Sequence, residues 1–165
     1  MMQLLRPGFY VGQAFEIDEG MLTALKIKAL CIDLDDTLMA TGSCDIAEGY
    51  LRWLSNLKTQ GFKMMICSNG TKARVARSAA ILELEALAKA GKPSPYAFWQ
   101  VFKHLGSSAQ ETLVIGDQLF TDILGAHLVG APSALVTPLS PGRWHTRVIR
   151  KLEHHILKNE ARSFK

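Results

Sequence analysis

Two carboxylates spaced two apart, Asp33 and Asp35, close an apolar run, and the hydroxyl of Thr37 follows two residues later. In an extended strand, residues two apart share a face. Asp33 and Asp35 therefore leave the strand's C-terminal end close together, with Thr37 beside them. Adjacent carboxylates repel unless a cation lies between them, and one often takes a different protonation role from the other. The pattern predicts a metal and a division of labour between a nucleophile and an acid/base. An EF-hand loop can also open Asp-x-Asp, but the twelfth position counted from Asp33 is Cys44, where that loop needs Glu. Asp36 reads as a turn residue with no catalytic task.

The elements that must position these groups alternate along the chain. Residues 28–34 form a continuous apolar run, as in a strand buried on both faces of a parallel sheet. The spacing then predicts a helix over 46–58, with Asp45 and Glu48 as its capping box and Gly61 as its stop. A second buried strand covers 62–67 and a helix 71–84. The stretch 84–91 lacks β-branched residues and reads as helix. A further helix covers 94–105, with Ser94 as N-cap and Gly106 as terminator, and Trp53, Phe98, Trp99 and Phe102 read as core. A strand over 112–115, a helix over 121–129 ended by Gly130, and a strand over 133–136 complete the pattern. Strands and helices alternating at this spacing predict an α/β fold, a doubly wound (Rossmann-like) parallel sheet, in a single domain over 1–165 with its core about 26–138. In such sheets ligands bind at the carboxyl ends of the strands. Asp33 and Asp35 end the first strand, Ser68-Asn69-Gly70 the second, and Gly116-Asp117 a third.

Composition sets the class. The chain has 165 residues, 48% hydrophobic and 21% charged, as expected of a globular domain with a proper core. No apolar run approaches the roughly 18 residues that span a bilayer. Arg6, Pro7 and Gly8 interrupt the N-terminus, which does not read as a signal peptide. Three cysteines without metal-ligand spacing argue against a disulfide framework, and Cys31 and Cys67 read as small core residues. A cytoplasmic location follows as the expectation. The net charge of +4 is uneven: residues 140–165 carry seven Lys/Arg against two Asp/Glu, and the remainder twelve against thirteen.

The sequence resembles the haloacid dehalogenase-like (HAD) phosphohydrolases. It matches their four motifs in order: DLDDTL over 33–38, the Ser68 of CSNG, the Lys92 of GKPSP, and GDQLFTD over 116–122. The resemblance implies that Asp33 attacks phosphorus to form an aspartyl-phosphate, and that Asp35 protonates the leaving oxygen and later activates water. It implies Mg²⁺ held by Asp33, Asp117 and the backbone carbonyl of Asp35, with Asp122 holding the metal or its waters. It makes Thr37, Ser68, Asn69, Gly70 and Lys92 the phosphate-binding set, the amides of Asn69 and Gly70 adding an anion nest. Lys89 is an alternative to Lys92. His104 and His127, in helical patterns, read as structural or exposed.

HAD enzymes carry substrate-selecting caps after the first motif or between the second and third. Here 29 residues separate Leu38 from Ser68 and 21 separate Gly70 from Lys92, too few for a cap. An open site suits a phosphate presented on something bulky. The residues 4–17 (LLRPGFYVGQAFEI), the GDQLFTDILG segment and the tail are similar to the YqeG-like, subclass IIIA proteins. Their relatives include phosphatidylglycerophosphate phosphatases, which implies a phospholipid substrate. Over 143–158, Trp144, Val148, Leu152 and Ile156 form a stripe beside Arg143, Arg147, Arg150, Lys151 and Lys158. This basic amphipathic helix either lies on an anionic membrane surface, as a peripheral contact, or packs on the domain. Other readings are an uncapped phosphatase for a phosphoprotein, a nucleic-acid terminus or a small soluble phosphate, and a receiver-like phosphoacceptor module. No nucleic acid is expected as a partner, since no aromatic platform or recognition motif accompanies the basic tail.

Overall fold

The strand Ala29–Ile32 is buried throughout, and the rest of the sheet is laid out around it. The computed structural model describes residues 2–43 and 45–141; the expected helix over 143–158 and Cys44 lie outside the described residues. In chain order the strands are β1 (Phe9–Val11), β2 (Ala29–Ile32), β3 (Lys63–Cys67), β4 (Glu85–Leu87), β5 (Thr112–Gly116) and β6 (Ser133–Val136). They form one six-stranded sheet in the order β1-β6-β5-β2-β3-β4, and every pairing is parallel. The connecting helices are α1 (Glu19–Ala24), α2 (Glu48–Thr59), α3 (Lys72–Leu82), α4 (Pro95–Leu105) and α5 (Leu124–Leu128). The doubly wound parallel sheet is as expected. Among the described residues no cap domain interrupts it.

Strand alternation sorts the core into two layers. Leu30, Ile32, Met64, Ile66, Leu113 and Ile115 pack on one face with Trp53, Leu54 and Leu57 of α2 and with Val75 and Leu82 of α3. Ala29, Cys31, Met65, Cys67 and Val114 face the other way, toward Phe98, Val101 and Phe102 of α4. Phe98 is fully buried, which for a side chain of that size contributes about 2–3 kcal/mol. Gly125 of α5 makes room for it: a Cβ there would lie 2.2 Å from the Phe98 ring. Cys31 and Cys67 are buried and free. The core also begins before residue 26. Ala14, Ile17 and Leu22 are fully buried, Trp53 Nε1 donates to the Ile17 carbonyl at 2.7 Å, and Tyr50 OH donates to Gln13 Oε1 at 2.6 Å.

Several local expectations are corrected. Helix α3 stops at Leu82, where Glu83 turns left-handed at φ 51°, and residues 85–87 then form strand β4 instead of helix. Pairing with β3 (Met65 with Glu85, Cys67 with Leu87) overrides the weak strand propensity of Glu-Ala-Leu. Helix α2 starts after Ala47, and no side chain caps it, so the Asp45/Glu48 capping box does not form. Ser94 occupies the N-cap position of α4 without a side-chain capping bond, while Gly106 ends that helix at φ 61° as expected. Trp99 is more than half exposed, because α4 turns Phe98 and Phe102 inward and Trp99 outward. The expected helix over 121–129 instead begins as a π-helical turn, Leu119–Ile123, before α5.

Candidate active site

The chain leaves β2 for β3 on one side, while β5 flanks β2 on the other, so the strand order reverses between β2 and β5. Crevices at such a reversal, outside the strands' carboxyl ends, are where these sheets bind ligands. Asp33 continues β2 into that crevice, its N–H donating to the Ile115 carbonyl at 2.8 Å. Asp117 follows the last residue of β5. The π-helical turn brings Asp122 back to the same point, where Gln118 N–H and Thr121 Oγ1 each donate to its Oδ2 at 3.2 Å. Carboxylate oxygens of Asp33, Asp117 and Asp122 all lie within 4.8 Å of one another, and all three residues are buried.

Lys92 enters this acidic group from the loop after β4. Its Nζ donates to Asp33 Oδ1 at 2.7 Å and to Asp122 Oδ1 at 2.5 Å. Asn69, at the end of β3, fixes the backbone of that loop through both halves of its amide. Its Oδ1 accepts from Lys92 N–H at 2.8 Å, and its Nδ2 donates to the Lys92 carbonyl at 3.1 Å. Lys89 is exposed and makes no such approach; its N–H donates to the Gly70 carbonyl. Ser68 is buried beside the crevice, with Gly70 N–H donating to its Oγ at 3.0 Å. Thr37 is fully buried, and its Oγ1 has no hydrogen-bond partner among the described residues. A buried hydroxyl left this way costs free energy unless a ligand meets it.

Asp35 is partly exposed and forms an ion pair with Arg74, in the first turn of α3. Sequence reasoning did not single out Arg74; the available signal was a basic residue shortly after the strand-end Ser68-Asn69-Gly70. Asp36 is structural, as expected. It sits at φ 63°, a region Asp tolerates better than most residues. Its carboxylate accepts from Thr41 N–H, Thr41 Oγ1 and Ser140 Oγ, tying the loop after β2 to the chain beyond β6. His104 pairs with Glu85 on the surface, and His127 is exposed.

The electrostatics are dominated by burial. Burial pushes the Asp33 carboxyl up from 3.8 to about 7; Lys92 opposes the rise and Asp122 adds to it. Burial also works against the Lys92 charge, but Asp122 and Asp33 more than offset it and hold the ammonium well above its ordinary value. A raised carboxyl keeps its proton in the folded state where the unfolded chain has lost it. The stability it contributes is present below about pH 4 and is lost as pH rises through about 7. Without metal, the melting temperature is therefore expected to fall between about pH 5 and about pH 8. A divalent cation held by these carboxylates would flatten that fall by favouring the ionised form. Thermal unfolding in chelator and in magnesium checks this, and a flat profile in chelator would contradict it. Glu111, held down to about 2 by Lys28 and Ser108, loses its contribution only in a more acid range.

Close approach of Asp122 needs Gly116. A Cβ at that position would lie 2.2 Å from Asp122 Cγ. Gly116→Ala is expected to displace the Asp122 carboxylate, weaken divalent-cation binding at least tenfold and lower activity with it. Titration calorimetry with Mg²⁺ reads the effect directly; unchanged affinity would show that the turn can yield.

The donor set fits a hard divalent cation: oxygen ligands only, clustered and buried. Four carboxylates (Asp33, Asp35, Asp117, Asp122) face two cations (Lys92, Arg74), so the group retains negative charge with both cations in place.

Residues 89–138 match the HAD-hydrolase-like family model. The chain is 32% identical over 152 residues to YqeG of Bacillus subtilis (strain 168), named a probable phosphatase, covering 92% of this chain and 88% of that protein. Solved structures share the fold. A Listeria monocytogenes protein superposes with a TM-score of 0.57 at 17% identity, covering 71% of this chain and 84% of that one. The cobalt-bound deoxy-D-mannose-octulosonate 8-phosphate phosphatase (YrbI) of Haemophilus influenzae gives 0.56 at 15% identity, covering 81% and 90%. With acidic residues from β2, β5 and the π-helical turn meeting the β4-loop lysine at one crevice, and likeness to YqeG along nearly its whole length, the chain belongs to the HAD-like hydrolases, in the YqeG-like family.

Proposed function

We propose that this HAD-type phosphatase is Mg²⁺-dependent and removes the terminal phosphate of phosphatidylglycerophosphate, through a covalent phosphoryl-enzyme on Asp33. The observation that carries the chemistry is the placement of Asp33. It stands at the strand-order reversal, bonded to Lys92, within reach of Asp117 and Asp122. Asp33, Asp117 and Asp122, with the backbone carbonyl of Asp35, would hold the magnesium. When bound, the ion supplies charge neutralisation that lets a phosphate dianion approach clustered carboxylates.

A carboxylate oxygen of Asp33 attacks phosphorus as the ester P–O bond breaks, and Asp35 passes a proton to the departing alcohol oxygen. Water then attacks the phosphorus of the acyl phosphate. Asp35 takes its proton, inorganic phosphate leaves, and the Asp33 carboxylate is restored. Lys92 and Ser68 neutralise and bind phosphoryl oxygens, and the orphaned Thr37 hydroxyl is available to do the same.

A bulky lipid phosphate suits a site that no cap domain covers among the described residues. Tyr96 and Trp99, both exposed, lie on α4 within two turns of Lys92, and such aromatic rings are at home at a membrane interface. No helix among the described residues is long and apolar enough to cross a membrane. Contact with lipid, in this reading, is peripheral and from the cytoplasmic side. The test is phosphate release from a panel of phospholipid and soluble phosphomonoesters, with and without magnesium. Preference for soluble esters over phosphatidylglycerophosphate in micelles would defeat the lipid assignment while leaving the phosphatase standing.

A further inference from the structure

Arg74, paired with Asp35 at the mouth of the crevice, also lines a groove of about 290 Å³ that runs outward between α3 and the loop after β2. Gly42, Ser43 and Thr71 form its polar wall, Arg77 its second cation, and Ile81 its exposed apolar end. Arg74 and Arg77 are three residues apart on one helix, so their side chains emerge on the same face. Two cations so close repel each other. Arg77 is exposed and has no ion-pair partner among the described residues, and the buried Nε of Arg74 has no hydrogen-bond partner among them. Asp35 offsets one of the two charges and leaves that of Arg77 facing the groove. Asp35 marks the side on which the leaving alcohol sits in the reaction above.

We propose that the Arg74–Arg77 groove is a leaving-group subsite, which binds a second anion, a phosphodiester, carried by the alcohol of the phosphomonoester substrate. This rests on the phosphatase reading and adds a determinant to it. A phosphodiester keeps one negative charge at any physiological pH and offers two oxygens to a guanidinium fork. Ile81 lies where substituents beyond the diester would pass.

The test compares three magnesium-supported substrates. They are glycerol 3-phosphate, the same ester carrying a methyl phosphodiester on its distal hydroxyl, and the same diester on diacylglycerol in detergent micelles. The wild type is expected to favour the methyl diester over glycerol 3-phosphate by roughly tenfold in kcat/KM, mostly through KM. Arg77→Ala should collapse that ratio toward one, and Arg77→Lys should restore part of it. An Arg77→Ala variant that lowers turnover of both substrates equally and leaves the ratio intact would overturn the subsite. So would a wild-type ratio near one. A further gain on the diacylglycerol form identifies the anion as that of a lipid headgroup; equal rates on the two diesters identify a soluble ester, and either supports the subsite. Turnover of none of the three overturns the phosphatase reading and the subsite together.

Discussion

Asp33→Asn is expected to abolish turnover, lowering phosphate release by roughly ten-thousand-fold, while leaving a folded protein. A carboxamide has nearly the same shape as the carboxylate, but its oxygen is too weak a nucleophile to displace an alkoxide from phosphorus. Stability should move the other way from activity. Burial disfavours the Asp33 charge, holding its carboxyl up to about 7, so removing that charge relieves a cost in the metal-free protein at neutral pH. The Asp33→Asn variant should melt no lower than the wild type in chelator near pH 8. It should gain less from magnesium, having lost one of three clustered carboxylates. Phosphate release and thermal unfolding, each measured with and without magnesium, separate the two effects. Retained activity would remove Asp33 from its role, and a collapsed melting temperature in chelator would contradict the electrostatic account.

Much of this site was legible because its residues lie at strand ends, and strand ends could be read from continuous apolar runs. Residues 28–34 and 112–115 bracket the real β2 and β5 within a residue or two, and Asp33 and Asp117 follow at once. What sequence could not give was geometry created by pairing. The strand β4 rests on its hydrogen bonds to β3, and Glu-Ala-Leu has no intrinsic reason to be extended. Lys92 nevertheless reaches Asp33 and Asp122, because the loop carrying it is fixed by Asn69 instead of by strand register. The need for Gly116 was hidden too, since the collision it avoids is with a side chain six residues on, brought back by a π-helical turn. Arg74 was missed for a related reason. An arginine in a helix reads as solvated, and only the fold shows Asp35 opposite it. The short strand β1 escaped notice because Pro7 and Gly8 precede three residues whose pairing partner, β6, lies more than a hundred positions away.

Lys92→Met should be the most costly single change to the apo protein. The Lys92 ammonium is buried and touches Asp33 and Asp122, and Met replaces its stem with similar volume but no charge. Removing one partner from a buried ion pair typically costs about 3–5 kcal/mol, because the other charge stays behind. Here two carboxylates stay behind, with Asp117 beside them. For a chain of this size that corresponds to a melting temperature lower by roughly 10 °C in chelator near pH 8. The loss should shrink toward pH 5, where Asp33, freed of the lysine that holds its proton affinity down, takes up a proton more readily. Magnesium should restore most of the melting temperature, since a divalent cation can neutralise the same oxygens. It should not restore turnover, because the ammonium's second task is to donate to phosphoryl oxygens from its own position in the loop after β4, and a cation held by the carboxylates would not replace that donor. Recovery of stability without recovery of phosphate release is the signature to look for. If magnesium rescued both, Lys92 would be only a counterion; if it rescued neither, the three carboxylates would not be a metal site.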